Sequence, residues 1–299
     1  MIKRLITGVV LLVVLIPLVI IDVLFPAFQA VALIFSVIGA HEMIKLYQHQ
    51  KKYHQGVKIV IYLATILTFV AGTSLLGVIL YDNPIYTLIG VSSILVSVSL
   101  QLSLLVFSKD FDAADIGKSI ATTSYVGFGV ASLVILRMLG VEFIIFVFLI
   151  TILTDVFAYV FGMLFGKHKM IERISPKKTW EGAVGGTIVG TLAATLFVFL
   201  YGSLLPNVDM TVAFGGLFAN LSINRVVLFI IIFVVALLTS IFGQIGDLVA
   251  SRLKRTYDVK DFSNIFPGHG GFLDRFDSSI VASMVFIALY SICSILMIL

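Results

Sequence analysis

The sequence predicts an all-α, polytopic integral membrane protein with about nine transmembrane helices. Of its 299 residues, 60% are hydrophobic and only 12% are charged, and the mean hydropathy is +1.15. A soluble domain carries roughly twice that charged fraction. The apolar residues also fall into long runs of the length that a helix needs to cross a bilayer, which is about 20 residues.

Nine apolar runs are candidate spans, and turn signals such as Asp82-Asn83-Pro84 separate some of them. The first is expected to be a retained span and not a signal peptide, because it is longer than a typical signal region. The second is short and ends at His41-Glu42, so a full span, a half-helix and a re-entrant segment all stay open. The runs are Leu5–Phe25, Ala27–Ile44, Val57–Leu80, Ile85–Phe107, Ser119–Leu139, Val141–Phe165, Gly182–Leu205, Arg225–Val249 and Phe276–Leu299.

The basic residues predict the orientation of these spans. With the N-terminus inside, 18 of the 20 lysine and arginine residues lie on the cytoplasmic side, and only Arg137 and Arg225 fall outside. Polar loops 166–181 and 250–275 are then cytoplasmic, at the face of the cell (inner) membrane. We divide the chain into residues 1–140, with about five spans, and a C-terminal transmembrane region, residues 141–299, that carries both loops.

Composition also excludes some classes of function. The net charge of +4 is spread over short loops between spans, so it does not indicate a nucleic-acid partner. The single cysteine, Cys293, excludes an internal disulfide and a cysteine-based metal cluster. The loop around Asp112 and Asp115 is acidic, and we interpret it as a solvated loop in preference to a metal site.

An ionisable residue, Asp155, lies in the middle of the sixth span. Such a residue is costly in a membrane and is a functional candidate. Helical spacing puts it on one stripe with the small or polar residues Thr151, Tyr159, Gly162 and Gly166. We expect this stripe to face protein or a water-filled cavity; internal hydrogen bonding or helix packing is the alternative role.

Loop 166–181 carries a second candidate feature. Ser175 before Pro176 is typical of a helix N-cap followed by a proline in the first turn. The free N–H groups of such a helix start bind phosphate, and Lys177 and Lys178 would add positive charge. Basic loops next to a membrane also serve only to contact anionic lipid, and that alternative stays open.

Three glycines, Gly182, Gly186 and Gly190, recur every fourth residue at the start of the seventh span. This spacing is typical of a face that packs closely against another helix. We therefore expect a structural role, and a glycine-rich face also makes a homodimer a candidate assembly.

The last polar loop contains acids at both of its membrane ends. If the eighth helix continues, Asp247 and Ser251 share a face, and Lys254 and Arg255 follow one turn later. Asp274 and Asp277 begin the last span, where either could cap the helix. Carboxylate oxygens without sulfur or nitrogen donors favour Mg²⁺ over zinc. We predict that Asp247 and Asp274 bind the same Mg²⁺, with Asp277 as a possible third ligand.

These residues belong to a longer pattern that resembles the signature of the phosphatidate cytidylyltransferases, also called CDP-diacylglycerol synthases. Over about 27 residues the matching positions are Ser251, Lys254-Arg255, Lys260-Asp261, Ser263, Pro267, His269-Gly270-Gly271, Asp274-Arg275 and Asp277. Upstream, Thr154-Asp155, Tyr159, Gly162, Phe165-Gly166-Lys167 and the segment from Ser175 to Gly182 are also similar to that family. The resemblance covers the chain from about residue 150, and Glu42 is a further candidate match.

The resemblance implies the reaction of CTP with phosphatidate to give CDP-diacylglycerol and pyrophosphate. It also implies Mg²⁺ as the cofactor, with a second cation as an option. Membrane lipids are then partners as well. The residue patterns and the resemblance together give three groups of candidate residues. Catalytic candidates are Asp247, Asp274, Lys260, His269 and Asp155; substrate-binding candidates are Ser175, Lys177, Lys178, Ser251, Lys254, Arg255, Gly270, Gly271 and Arg275; metal ligands are Asp247, Asp274 and Asp277. His269 could be a base, a phosphate donor or a turn residue.

A transporter or channel with a charged cytoplasmic gate is the alternative class of function. It accounts for the spans and for Asp155. It does not require two anion-binding loops and three acids at one face of the membrane, so the enzyme is the favoured interpretation.

Overall fold

The computed structural model describes residues 13–81, 83–204, 224–266, 268 and 270–296. A two-stranded antiparallel sheet, with Lys169 opposite Thr179, is the only departure from helix and loop in this part of the chain. A π-helical segment, Thr123–Phe128, joins α4 and α5 into one span. The elements are α1 (Phe25–Tyr47), α2 (Gln55–Tyr81), α3 (Pro84–Phe107), α4 (Ala113–Thr122), α5 (Gly129–Leu139), α6 (Val141–Phe165), β1 (Lys169–Ile171), β2 (Ser175–Thr179), α7 (Trp180–Leu204), α8 (Arg225–Thr256) and α9 (Leu273–Leu296).

The predicted all-α membrane architecture is confirmed. In the described ranges, eight helical stretches are long and apolar enough to cross a membrane. The ninth predicted span, Leu5–Phe25, is described from residue 13 onwards, and residues 13–20 of that run are helical. The half-helix alternative for the second run is wrong: α1 is a continuous helix of 23 residues with its proline in the first turn, where no N–H partner is needed.

The chain forms two compact units: Met1–Leu139 with Arg252–Ile280, and Gly140–Ser251 with Val281–Leu299. In the first unit, buried hydroxyl and amide groups pair with one another between helices. Thr68 Oγ1 lies 3.1 Å from Ser97 Oγ, and the Ser119 hydroxyl donates to Gln101 Oε1 at 2.8 Å. These contacts satisfy polar groups that have no access to water.

The acidic loop before α4 is an ion-pair anchor in the first unit. Asp112 and Asp115 form a capping box at the start of α4. Lys51 Nζ donates to Asp112 Oδ2 at 2.8 Å and to Asp115 Oδ2 at 2.5 Å, and the Tyr53 hydroxyl donates to Asp115 Oδ1 at 2.9 Å. The Lys51 ammonium holds the pKa of Asp112 below its usual value. Asp115 is buried, so the prediction of a purely solvated loop is wrong.

In the second unit, the glycine face of α7 packs against α6 as predicted. A Cβ at Gly182 would lie 2.5 Å from the Ala158 carbonyl oxygen, and one at Gly186 or Gly190 would overlap Thr154. Only glycine allows the two helices to approach this closely. Because this face is used inside the unit, it gives no support to the predicted homodimer.

The helix predicted to begin at Ser175-Pro176 is absent, and that prediction is wrong. Residues Ser175–Thr179 form strand β2 and α7 begins at Trp180. The residue before a proline avoids the helical region, which favours an extended Ser175. Thr179 is the actual cap: its Oγ1 accepts from the Gly182 N–H at 3.2 Å.

The last polar loop is shorter than the predicted range 250–275. α8 continues through 32 residues to Thr256, and α9 begins at Leu273. At about 1.5 Å per residue, α8 is about 48 Å long, which exceeds a hydrocarbon core of about 30 Å. Its polar last turns therefore extend beyond the apolar layer. The predicted loop Pro206–Asn224 lies outside the described residues except for Asn224.

Candidate active site

Asp247 and Lys178 form an ion pair in the second unit. Lys178 Nζ contacts Asp247 Oδ2, and the side chains are 28% and 26% exposed. One turn further along α8, the Ser251 hydroxyl donates to Asp247 Oδ1 at 3.3 Å, which confirms the predicted shared face. A predicted metal ligand, a predicted phosphate-binding lysine and a predicted substrate-binding serine therefore lie together.

A β-hairpin holds Lys178 in place. Glu181, at the start of α7, accepts hydrogen bonds from the N–H groups of Lys167 and His168, both at 3.2 Å, and contacts His168 Nδ1 at 2.6 Å. The Trp180 N–H donates to the His168 carbonyl at 3.0 Å. Glu181 thus ties the residues before β1 to the start of α7. Its role was missed because nothing in the local sequence predicts the hairpin.

The other residues of the hairpin are more exposed. Lys177 is exposed in β2, and Ser175 is partly exposed at the beginning of that strand. Trp180 is 54% exposed. These side chains are accessible to a ligand, although Ser175 does not offer the helix N-terminus that the sequence predicted.

The predicted stripe on α6 divides between two environments. Thr151 is buried, and the neighbouring Thr154 hydroxyl lies 2.7 Å from Ser240 Oγ on α8. Asp155 and Tyr159 are exposed at the surface of the chain. The expectation that the stripe faces protein is therefore met for Thr151 and for Gly162, where a Cβ would lie 3.0 Å from Thr179 Oγ1. A water-filled cavity beside the rest of the stripe stays a prediction, as does a catalytic role for Asp155.

In the first unit, Asp274 pairs with Lys254. Lys254 Nζ donates to Asp274 Oδ1 at 2.7 Å, and the two side chains are 12% and 4% exposed. Asp274 Oδ2 accepts from the N–H groups of Phe262 at 2.8 Å and Gly271 at 2.9 Å. Lys254 also lies 5.2 Å from the centre of the Phe262 ring. This pair has the same composition as the first one, a predicted metal ligand with a predicted phosphate-binding lysine, but it is buried.

The Gly270-Gly271 segment forms a turn before α9. Gly270 has a φ of +89°, which side chains rarely adopt, and its N–H and carbonyl both bond to Phe266. A Cβ at Gly271 would overlap Glu42 Oε1. His269, with Pro267, lies outside the described residues.

Glu42 is the residue of this region that the sequence analysis left without a role. It is completely buried in α1 and accepts hydrogen bonds from Ser263 and from the N–H groups of Phe272 and Leu273. The only sequence signal was an ionisable residue close to the end of an apolar helix. Its partners lie more than 200 positions away, so no local pattern could identify them.

The remaining candidates are placed as follows. Arg255, Lys260 and Arg275 are exposed, and Arg255 Nη1 donates to the Val259 carbonyl at 3.3 Å. Asp277 is buried, and its Oδ1 accepts from the Ser278 N–H at 2.8 Å. Within the described residues, no three acidic, histidine or cysteine side chains form a metal-binding group.

The donor sets of the three acids differ in how well they suit Mg²⁺, which prefers oxygen ligands. Asp247 fits, because its contacts are a partly exposed lysine and a hydroxyl group. Asp274 offers only Oδ1, since Oδ2 is used by two backbone N–H groups. Asp277 is buried beside a backbone N–H. Binding of one ion by Asp247 and Asp274 stays a prediction.

Comparison with known proteins gives a consistent result. The family model described as "Cytidylyltransferase family" matches residues 2–293. A phosphatidate cytidylyltransferase of Staphylococcus saprophyticus is 36% identical over 198 residues, covering 66% of this chain and 65% of that protein. The protein of the same name from Staphylococcus haemolyticus is 36% identical over 178 residues, covering 59% and 60%. That of Staphylococcus aureus is 34% identical over 199 residues, covering 66% and 68%.

The matched segment therefore spans 60–68% of the length of these relatives. The family match covers almost the whole chain and includes both lysine–aspartate pairs. This integral membrane protein belongs to the cytidylyltransferase family.

Proposed function

We propose that the protein transfers the cytidylyl group of CTP to phosphatidate, forming CDP-diacylglycerol and releasing pyrophosphate. The observation that carries the proposal is the Lys178–Asp247 pair. A lysine suits phosphate oxygens and a carboxylate suits a divalent metal, and the two lie together at one partly exposed position, which supports the proposal. The names of the relatives support the same substrates.

In this reaction a phosphate oxygen of phosphatidate forms a bond to the α-phosphorus of CTP. The bond from that phosphorus to the bridging oxygen of the β-phosphate breaks, and its electrons leave with pyrophosphate. Both substrates are anions, so the main task of the protein is to neutralise repulsion and to align the groups. No covalent enzyme intermediate is required.

We propose Lys177, Lys178 and Arg255 as phosphate-binding groups, together with the exposed Lys260 and Arg275. Asp247 is the proposed principal Mg²⁺ ligand, and Asp274, through Oδ1, stays a proposed further ligand. Bound Mg²⁺ would neutralise triphosphate and pyrophosphate oxygens. The site is proposed to face the cytoplasm, where CTP is available, with phosphatidate entering from the lipid layer.

The test is an assay of the purified protein in detergent micelles that contain phosphatidate. We expect pyrophosphate and CDP-diacylglycerol to form in equal amounts, and only when CTP, phosphatidate and Mg²⁺ are all present. In the control reaction diacylglycerol replaces phosphatidate, because a lipid kinase would phosphorylate diacylglycerol. Phosphorylation of diacylglycerol, or an absence of pyrophosphate with phosphatidate, would overturn the proposal.

A further inference from the structure

Glu42 is a buried acid in a membrane helix that lies far in sequence from the proposed catalytic residues. It belongs to the last two turns of α1, and none of its surface is exposed. A carboxylate that is removed from water must have its oxygens satisfied by protein donors. The identity of those donors therefore indicates what the residue does.

The Glu42 carboxylate accepts from three donors that lie before or at the start of α9. Glu42 Oε1 accepts from the Ser263 hydroxyl at 2.5 Å and from the Phe272 N–H at 2.8 Å, and Oε2 accepts from the Leu273 N–H at 2.9 Å. The Phe272 and Leu273 amides are at the start of α9, where N–H groups have no partner inside the helix. Glu42 thus caps α9 from a different helix, and its charge suits the positive end of the helix dipole.

The same contact fixes the turn before α9. A side chain at Gly271 would overlap Glu42 Oε1, so the carboxylate occupies the space beside the glycine. Phe272 also stacks on Phe35 of α1, with ring centres 4.8 Å apart. Polar and apolar contacts together therefore hold the turn against α1.

Asp274 follows this capped position directly. Its Oδ2 accepts from the Gly271 and Phe262 N–H groups, which are next in sequence to two residues that donate to Glu42, Phe272 and Ser263. Loss of the Glu42 contacts would let Gly271 shift. The Asp274 carboxylate, which accepts from Gly271 and from Lys254, would then shift as well. Groups behind a ligand or substrate contact commonly change activity by about 10- to 100-fold when removed.

We propose that Glu42 is a positioning residue, which caps α9 and fixes the Gly270-Gly271 turn so that Asp274 and Lys254 keep their active orientation. The kinetic part rests on the proposed function. Glu42→Gln is the sharpest variant, because it keeps the size of the side chain but replaces one accepting oxygen with a donating NH₂ group. That group would face one of the backbone donors.

The experiment compares Glu42→Gln with Glu142→Gln, the same substitution in the first turn of α6. In the Glu42 variant we expect kcat per folded protein to fall about 10- to 100-fold, with a higher Mg²⁺ concentration for half-maximal rate. KM for CTP should change far less than kcat. Ser263→Ala removes one donor to Glu42, so kcat and the Mg²⁺ concentration for half-maximal rate should change in the same directions but by less. If the Glu42→Gln protein does not fold, Ser263→Ala takes its place in the test. Wild-type kcat and Mg²⁺ dependence in both variants would overturn the proposal.

Hydrogen exchange separates this proposal from the catalytic one. Peptides covering residues 262–276 should exchange faster in Glu42→Gln than in the Glu142→Gln control, whether or not the wild-type protein is active. Unchanged exchange there would overturn the capping role. An inactive wild-type protein whose Glu42 variant shows the faster exchange would instead overturn the proposed function.

Discussion

The two lysine–aspartate pairs differ in their exposure, and this difference separates their contributions to stability and to activity. Lys178 and Asp247 are each about a quarter exposed, and ion pairs with that access to solvent contribute about 0–1 kcal/mol. Lys254 and Asp274 are nearly buried, and removing one partner of a buried pair costs about 3–5 kcal/mol. Breaking the first pair should therefore cost little stability, whereas breaking the second should destabilise the fold.

Replacing Lys178 with methionine should impair the reaction and leave the fold intact. A lost charge-assisted contact costs about 1.5–3 kcal/mol, so kcat/KM should fall about 10- to 150-fold. Thermal unfolding in detergent should be nearly unchanged. Lys109→Met, at an exposed lysine to which we assign no role, is the control. Wild-type kinetics for Lys178→Met would show that this lysine takes no part in the reaction.

Asp247→Asn and Asp274→Asn should both abolish most activity, but only the second should unfold the protein at a lower temperature. The Asp274→Asn change would leave the Lys254 ammonium buried without a countercharge, and the expected loss is about 3–5 kcal/mol. Thermal unfolding and the cytidylyltransfer assay on the same samples measure both effects. An equal loss of stability in the two variants would contradict the distinction between the pairs.

At the level of elements, the sequence predicted the ends of a helix wherever the polarity changes sharply along that helix. The apolar runs located the span Val141–Phe165 and the start of α8 at Arg225, since both ends are marked by a change in polarity. The hairpin could not be predicted, because its strands of three and five residues are too short for a periodic pattern. Ser175 and Pro176 satisfied the local rule for a helix start, but Thr179 satisfies it four residues later.

The packing of α6 against α7 depends on glycine, and this gives an element-scale prediction. In Gly186→Val, the new Cβ would overlap the Thr154 carbonyl oxygen and the Ala158 side chain. Overpacking of this kind costs about 1–3 kcal/mol, and more where backbone atoms obstruct the side chain. We expect a lower unfolding temperature and a parallel loss of activity, measured after extraction in detergent.

The control for this change is Val184→Ile, which adds one methylene group to an exposed position of the same helix. It should leave the unfolding temperature unchanged. If Gly186→Val is as stable as this control, the helices do not meet through their glycine face.

At the scale of the whole molecule, the sequence predicted the number and boundaries of most spans but not the partners of its acids. Glu42 and Leu273 are 231 positions apart, and Lys178 and Asp247 come from different elements. Such contacts depend on how helices pack, which hydropathy does not determine. The motif residues were identifiable as candidates only because their chemistry is unusual in a membrane protein.

The distribution of charge predicts the orientation of the whole protein in the membrane. If 18 of the 20 lysine and arginine residues are inside, both lysine–aspartate pairs belong to segments at the cytoplasmic face. Cysteines introduced singly at Asn264 and Asn207, with Cys293 replaced by alanine, test this in intact cells. Asn264 is exposed, and Asn207 lies outside the described residues in the predicted external segment.

An impermeant thiol reagent should label Asn207→Cys in intact cells and Asn264→Cys only after the membrane is opened. The physical reason is that anionic lipid and the membrane potential retain positively charged loops on the cytoplasmic side during insertion. The permeabilised sample is the control, because it shows that each cysteine reacts when it is reached. The reverse pattern in intact cells would place Lys178 and Asp247 on the side without CTP, and the proposed reaction could not then occur at this site.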